Sequence, residues 1–254
     1  MTGVRAALLI AFIALIMGLP TPAAIRDDPD ALWRVVHVLC VPDKFLTGLP
    51  APCLSVDRRR GFAVVPDPDS HTQVLLVPTR RVAGIESAAL LSPQSPNYWR
   101  YAWEARVYIA RRAHRPIPRD SVALAVNSEF GRTQRQLHIH VDCVSPSVRA
   151  ALAANQAIIT RAWTRFPVIL MGRQYRVMRL DGEDLGSRDP FKLLANADAA
   201  ARADMGARTQ AVVGTAFGGA PGVVVLASPG AGPDNPNGAA EDLLDHNCAV
   251  LHSP

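Results

Sequence analysis

The chain has 254 residues, 49% of them hydrophobic and 19% charged, with 27 Lys and Arg against 22 Asp and Glu. Such a composition excludes a disordered protein and can bury one large core or two modest ones. Aromatics are only 6% and no basic stripe is interleaved with them, so no nucleic-acid partner is expected; the formal net charge of +5 suits a small phosphorylated ligand or an acidic membrane surface.

Residues 1–24 open with Arg5, followed by an apolar run from Ala6 to Leu19 and then small residues with Pro. This pattern reads as an export signal. The run is shorter than the roughly 20 residues that span a bilayer, which favours a cleaved signal peptide, with a signal anchor as the alternative. Export would place the protein in the periplasm or on the outer face of the cell membrane, and its four cysteines in an oxidising compartment. Cys40 and Cys53 flank a short Pro-rich loop and are expected to pair, which leaves Cys143 to tie Cys248 to the middle of the chain; buried free thiols are the alternative.

The segment "DPDALWRVVHVLCV" (28–41) has Asp acceptors ahead of an apolar periodic run and predicts a first helix. Residues 61–79 are two apolar stretches around a Pro/Asp/Ser turn, a hairpin. "NYWRYAWEARVYIARRA" (97–113) predicts a helix with Trp99, Trp103 and Val107 on the face toward a sheet. Next come an apolar strand, "SVALAVN" (121–127), and its hairpin partner, "LHIHVDCV" (137–144). Helix, hairpin, helix, hairpin is the order of an α+β fold with an antiparallel sheet. Further on, helices are expected over 147–163 and 189–206, the latter with Asp189 as N-cap and Pro190 in its first turn. Strands are expected over 174–180 and 222–228, a Gly/Pro-rich loop over 229–238 and a closing helix over 239–251. No fixed-period repeat is present, so the second half reads as a C-terminal elaboration of one sheet.

Within 137–144 the strand period of two sends Leu137, Ile139, Val141 and Cys143 to one face and His138, His140 and Asp142 to the other. An isolated buried histidine is usually a hydrogen-bonded core group. Two on one face, followed by Asp142 and preceded by Gln134 and Gln136, would be costly to bury without a function. Such a cluster can serve as metal ligands, general bases or nucleophiles.

The same run resembles the signature of the histidine triad superfamily, in which the middle of alternating histidines attacks a nucleotide α-phosphate. More narrowly, "GRTQRQLHIHVDC", "LLVPTRRVAGIES", "SPNYWRYAW" and "LAVNS", with the tail "DHNCAVL", resemble the bacterial CDP-diacylglycerol pyrophosphatases. That resemblance implies a histidine triad-like catalytic domain over 25–254. It also implies CDP-diacylglycerol as substrate, cleaved to CMP and phosphatidate through a nucleotidyl-histidine, with no cofactor or metal. A membrane surface is the implied setting, and a homodimer is compatible because superfamily members often dimerise.

Only two of the three triad positions hold His, and two alignments of the triad are open. In one, His138 is first, His140 is the nucleophile and Asp142 stands third; in the other, Gln136 is first, His138 is central and His140 third. The superfamily's upstream Gln and Asn spacings fall on Gln134 and Asn127 in the first alignment, which favours His140 as nucleophile and His138 as its partner. Gln134, Asn127, Asp142 and Gln136 are then the candidate phosphate-binding residues. A metal-dependent phosphoesterase using His138, His140 and Asp142 as ligands, and a non-catalytic nucleotide- or lipid-binding protein, are the competing functions.

Overall fold

In chain order the strands are β1 (Ser55–Asp57), β2 (Phe62–Pro66), β3 (Val74–Pro78), β4 (Val122–Val126), β5 (Ile139–Val144), β6 (Thr164–Arg165), β7 (Arg176–Asp181), β8 (Thr209–Phe217), β9 (Ala220–Ser228) and β10 (Leu244–Asp245). In the computed structural model, which describes residues 28–228 and 238–251, these ten form one antiparallel sheet. The order across it is β1-β2-β3-β5-β4-β8-β9-β7-β6, and β10 pairs with β5. The fold is α+β, and both expected hairpin regions lie in the same sheet. The expected N-terminal signal segment and residues 229–237 of the Gly/Pro-rich loop lie outside the described residues.

One face of the sheet carries Leu137, Ile139 and Val141 together with Val74, Leu76, Val122 and Leu124. Against it pack helix α3 (Tyr98–Arg112) and helix α5 (Pro190–Ala197), through Trp99, Trp103, Phe191 and Leu194. The opposite face is covered in two parts. Over β2 and β3 lies the N-terminal helical segment, α1 (Ala31–Arg34), a π-helical turn (Val35–Cys40) and α2 (Val41–Leu46), which buries Leu32 and Val36 on Ala63, Val65, Leu75 and Val77. Over β4, β8 and β9 lie α4 (Pro146–Ala154) and the C-terminal residues Ala240, Leu243 and Leu244. His138, His140 and Asp142 fall where these two coverings meet.

Caps behave as their residue types dictate. Asn97 accepts from the Arg100 N–H, Asp189 from Phe191 N and Asp198 from Ala201 N, so each supplies an acceptor to a first-turn donor. Asp198 also splits the expected 189–206 helix into α5 and α6 (Ala199–Ala203). Both disulfides, Cys40–Cys53 and Cys143–Cys248, are formed.

Several elements differ from the sequence reading. Val107 is 46% exposed, and Ile109 takes its place in the core. The spacing 99, 103, 107 advances about 40° per step around a helix with 3.6 residues per turn, so the stripe drifts off the sheet. The expected helix over 147–163 stops at Ala154, because the Asn155 side chain turns back to bond Ala151 O. β1, β6 and β8 had no predicted counterpart. The closing helix is replaced by a 3₁₀ turn (Ala240–Leu243), β10 and a second 3₁₀ turn (Ala249–Leu251). β3 pairs with β5 only as far as Val141, leaving the β5 edge at Cys143 and Val144 in need of main-chain partners, and Leu244 and Asp245 supply them.

Candidate active site

His138 and His140 project from β5 and its approach onto the face away from α3, with ring centroids 4.8 Å apart and planes at 70°. Both are buried, at 9% and 6% exposure. The C-terminal residues around Glu241 lie over them, and a small cavity lined by Asn127, Arg132 and Gly84 reaches His138.

The two rings are held in opposite tautomers. His138 Nδ1 lies 2.8 Å from the main-chain oxygen of Gln136, an atom that can only accept, so Nδ1 carries the proton and Nε2 keeps its lone pair. His140 Nδ1 lies 2.7 Å from Gln73 Nε2. The same amide nitrogen faces Asp67 Oδ2 at 3.1 Å, which fixes it as the donor. Neutral His140 is therefore protonated on Nε2. Burial pushes the His138 pKa down to about 4, helped by neighbouring His140, so its imidazole is uncharged at neutral pH.

Glu241 meets both sides of this arrangement. Its Oε2 accepts from Asn127 Nδ2 at 2.8 Å and lies 2.8 Å from His140 Nε2, out of line with the ring N–H, while its own N–H donates to Asn127 Oδ1. Burial works to raise the Glu241 pKa, but the contacts from His140 and Asn127 outweigh it and bring it down to about 2. An anionic oxygen thus already occupies the ground between Asn127 and His140.

Asp142 is wholly buried. Its Oδ1 accepts from Thr72 Oγ1 at 2.6 Å and from Cys143 N at 2.9 Å, and its Oδ2 lies 2.9 Å from His246 Nδ1. The bond to Asp142 raises the His246 pKa.

The structure gathers His138, His140, Asn127 and Asp142 and leaves out the two glutamines. Gln134 bonds Leu32 N and Asp28 O, tying the N-terminal helical segment down. Gln136 bonds Val82 N, Pro78 O and Arg80 O, bracing the loop after β3. Both side-chain amides are committed to main chain, and of Gln136 only the carbonyl serves a histidine. Gln73, Glu241 and His246 were not singled out from the sequence. The polar pair Thr72–Gln73 at the head of β3 and the His in the tail were the available signals.

His138, His140 and Asp142 do not converge as a metal site. Among the described residues the one metal-type cluster is Asp142, Cys143 and Cys248, and its two sulfurs form the disulfide, leaving no thiolate to ligate.

Two comparisons bear on this arrangement. The family described as CDP-diacylglycerol pyrophosphatase matches residues 27–252. A CDP-diacylglycerol pyrophosphatase of Yersinia pestis is 38% identical over 229 residues, which is 90% of this chain and 88% of that protein.

Proposed function

The chain belongs to the CDP-diacylglycerol pyrophosphatase family, and from that premise we propose that it cleaves its substrate through a nucleotidyl intermediate on His138. It is a hydrolase acting on a diphosphate bond, and the family supports CDP-diacylglycerol as the substrate, with CMP and phosphatidate as products. In the proposed course, His138 Nε2 attacks the α-phosphorus, phosphatidate leaves, and water then releases CMP. His140 and Asn127 hold the phosphoryl oxygens in the place where the Glu241 carboxylate now sits.

The observation that carries this reading is the His138 Nδ1 bond to Gln136 O, which keeps the Nε2 lone pair available and delivers a neutral nucleophile. His140, favoured by sequence spacing, presents a protonated Nε2 and is suited to donate to a phosphoryl oxygen. Mass spectrometry of enzyme quenched during turnover tests the assignment. A CMP adduct on a peptide bearing modified His138 is the expected result; an adduct on His140 reverses the two roles, and turnover without any adduct defeats the mechanism.

The membrane setting and export belong to the same proposal. Val38, Phe45, Leu46 and Leu49, exposed on and just beyond the N-terminal helical segment that shares the histidine face of the sheet, form an apolar surface, and Arg58 stacks on Phe45. Such a surface suits anionic lipid. The two disulfides suit an oxidising compartment. Sedimentation with vesicles containing anionic lipid, compared between the wild type and a Phe45→Glu/Leu46→Glu variant, tests the docking surface; unchanged binding removes it.

A further inference from the structure

The run that carries the histidines also carries Arg132, six residues before His138, and one small cavity is walled by both. Asn127 lines it too, and the rest of its lining is uncharged. The space holds about one water-sized group. We propose that this cavity seats a non-bridging oxygen of the α-phosphoryl group under attack, and that Arg132 is the catalytic cation that binds it. This inference rests on the nucleotidyl-histidine reading above.

Asn127 links the cavity to the phosphoryl position. It borders the cavity and donates to Glu241 Oε2 at 2.8 Å, in the place that reading gives to the phosphoryl group. When the substrate takes that place, one phosphoryl oxygen replaces the carboxylate oxygen between Asn127 and His140. A second turns into the space shared by Asn127, His138 and Arg132.

Charge supplies the reason for an arginine. The diphosphate is anionic, and His140 and Asn127 offer it only hydrogen bonds. Arg132 adds a permanent positive charge and a planar fork of N–H donors. In a buried cavity such a donor acts strongly on the charge that builds on the phosphoryl oxygens. That charge is already felt at the nucleophile: after burial and His140, Arg132 also lowers the His138 pKa, which keeps the ring neutral.

The guanidinium is in position before any substrate arrives. Its Nη1 and Nη2 donate to the two Glu86 carboxylate oxygens, each at 2.6 Å, and the side chain is only 12% exposed. Among the described residues Glu86 is its one hydrogen-bond partner, so the other N–H donors remain for a ligand. Gly84 permits the close approach. A Cβ there would overlap the guanidinium, lying 2.6 Å from Cζ and 2.7 Å from Glu86 Oε2. The loop bearing Gly84 and Glu86 is itself fixed to the approach to β5, since Leu137 N donates to Val82 O at 2.6 Å and the Gln136 side chain accepts from Val82 N. The cationic wall is thereby tied to the residues just before His138, and little rearrangement is needed when the oxygen enters.

Arg132 exchanges no proton in the reaction. In the attack the His138 nitrogen–phosphorus bond forms, and phosphatidate leaves with the electron pair of the broken phosphorus–oxygen bond. The guanidinium contributes hydrogen bonds and charge alone.

Sulfur at the α-phosphorus tests this on the full chain. CDP-diacylglycerol with one non-bridging α-oxygen replaced by sulfur exists as two diastereomers, and only one of them directs the larger, weakly accepting sulfur into the cavity. The wild type should form the His138 adduct faster with the other, by about 10²–10³-fold. Arg132→Lys, and the double variant Arg132→Gln/Glu86→Gln, which leaves no unpaired carboxylate, should cut that ratio by about tenfold or more. Loss of folded protein cancels in the ratio, and a variant that merely frees the Glu86 loop slows both diastereomers alike. If both variants are silent, guanidinium ion is added to Arg132→Gly: recovery with the wild-type preference upholds the role, and any other result overturns it. Equal rates with the two diastereomers in the wild type, or an unchanged ratio in the variants, also overturn it and leave the adduct on His138 untouched. Failure of the wild type to form an adduct with the all-oxygen substrate would overturn the nucleotidyl-histidine reading itself.

Discussion

The Glu241 carboxylate lies 2.8 Å from His140 Nε2 and accepts a bond from Asn127, so two groups suited to a phosphate are already engaged by a carboxylate of the same chain. A phosphate must displace that carboxylate to reach them. Glu241→Ala is expected to tighten CMP binding about tenfold, or about 1.4 kcal/mol, as read by calorimetry. Asn127→Ala, which removes a donor, should weaken it. Weaker binding in Glu241→Ala would show instead that the carboxylate assists the site.

Stability should depend on pH through His138. Its folded pKa, about 4, lies below the ordinary 6.5, so between those values the unfolded chain binds the extra proton. The contribution of the neutral, buried ring is then complete above about pH 6.5 and is lost as pH falls toward 4, by up to about 3 kcal/mol. Asp189, pushed up to about 6 by burial, acts in the opposite direction over part of the same range. Urea unfolding at several pH values should therefore give a shallower acid loss in His138→Gln than in the wild type; parallel curves would mean that His138 titrates freely in the folded protein.

The two disulfides should differ in weight. Cys143–Cys248 closes a separation of 105 residues and Cys40–Cys53 one of 13. Chain entropy predicts losses of about 4–5 and about 3 kcal/mol on their removal. Replacing Cys143 and Cys248 by Ser should lower Tm more, and should also change activity because Glu241, whose carboxylate lies against His140, belongs to the segment it ties. The Cys40/Cys53 double variant should retain the chemistry. Equal effects on activity would separate the tail from the site.

Gly214 is the residue that lets β8 lie beneath the loop before β4. A Cβ there would stand 2.1 Å from the Arg119 carbonyl oxygen and 2.8 Å from the Trp103 ring. Arg119 itself donates to the carbonyls of Thr215, Gly222, Glu183 and Gly182, so this backbone has little room to shift. Gly214→Ala should destabilise by about 1–3 kcal/mol or more, seen as a fall in Tm. An unchanged Tm would show that the loop yields.

Local pattern alone determined a good part of this protein. The period of two in 137–144 placed both histidines and Asp142 on one face, because successive strand side chains must point to opposite sides. Asp189 marked the start of α5, since a side-chain acceptor is useful only beside unpaired first-turn donors. The cysteine pairing was also legible, from the short Pro-rich loop and an even count.

Tertiary structure decided the rest. Linear spacing gave Gln134 and Asn127 equal standing, yet only Asn127 reaches the site, because the approach to β5 turns Gln134 toward the N-terminal helical segment. The preference between His138 and His140 turns on which atom faces each Nδ1, a main-chain carbonyl in one case and a Gln73 amide in the other, and neither contact has a sequence signature. The tail read as a helix because its apolar residues permit one. Unpaired main-chain groups at the end of β5 and the bond to Cys143 drew it into a strand instead, carrying Glu241 to His140 and His246 to Asp142 from more than 100 residues away.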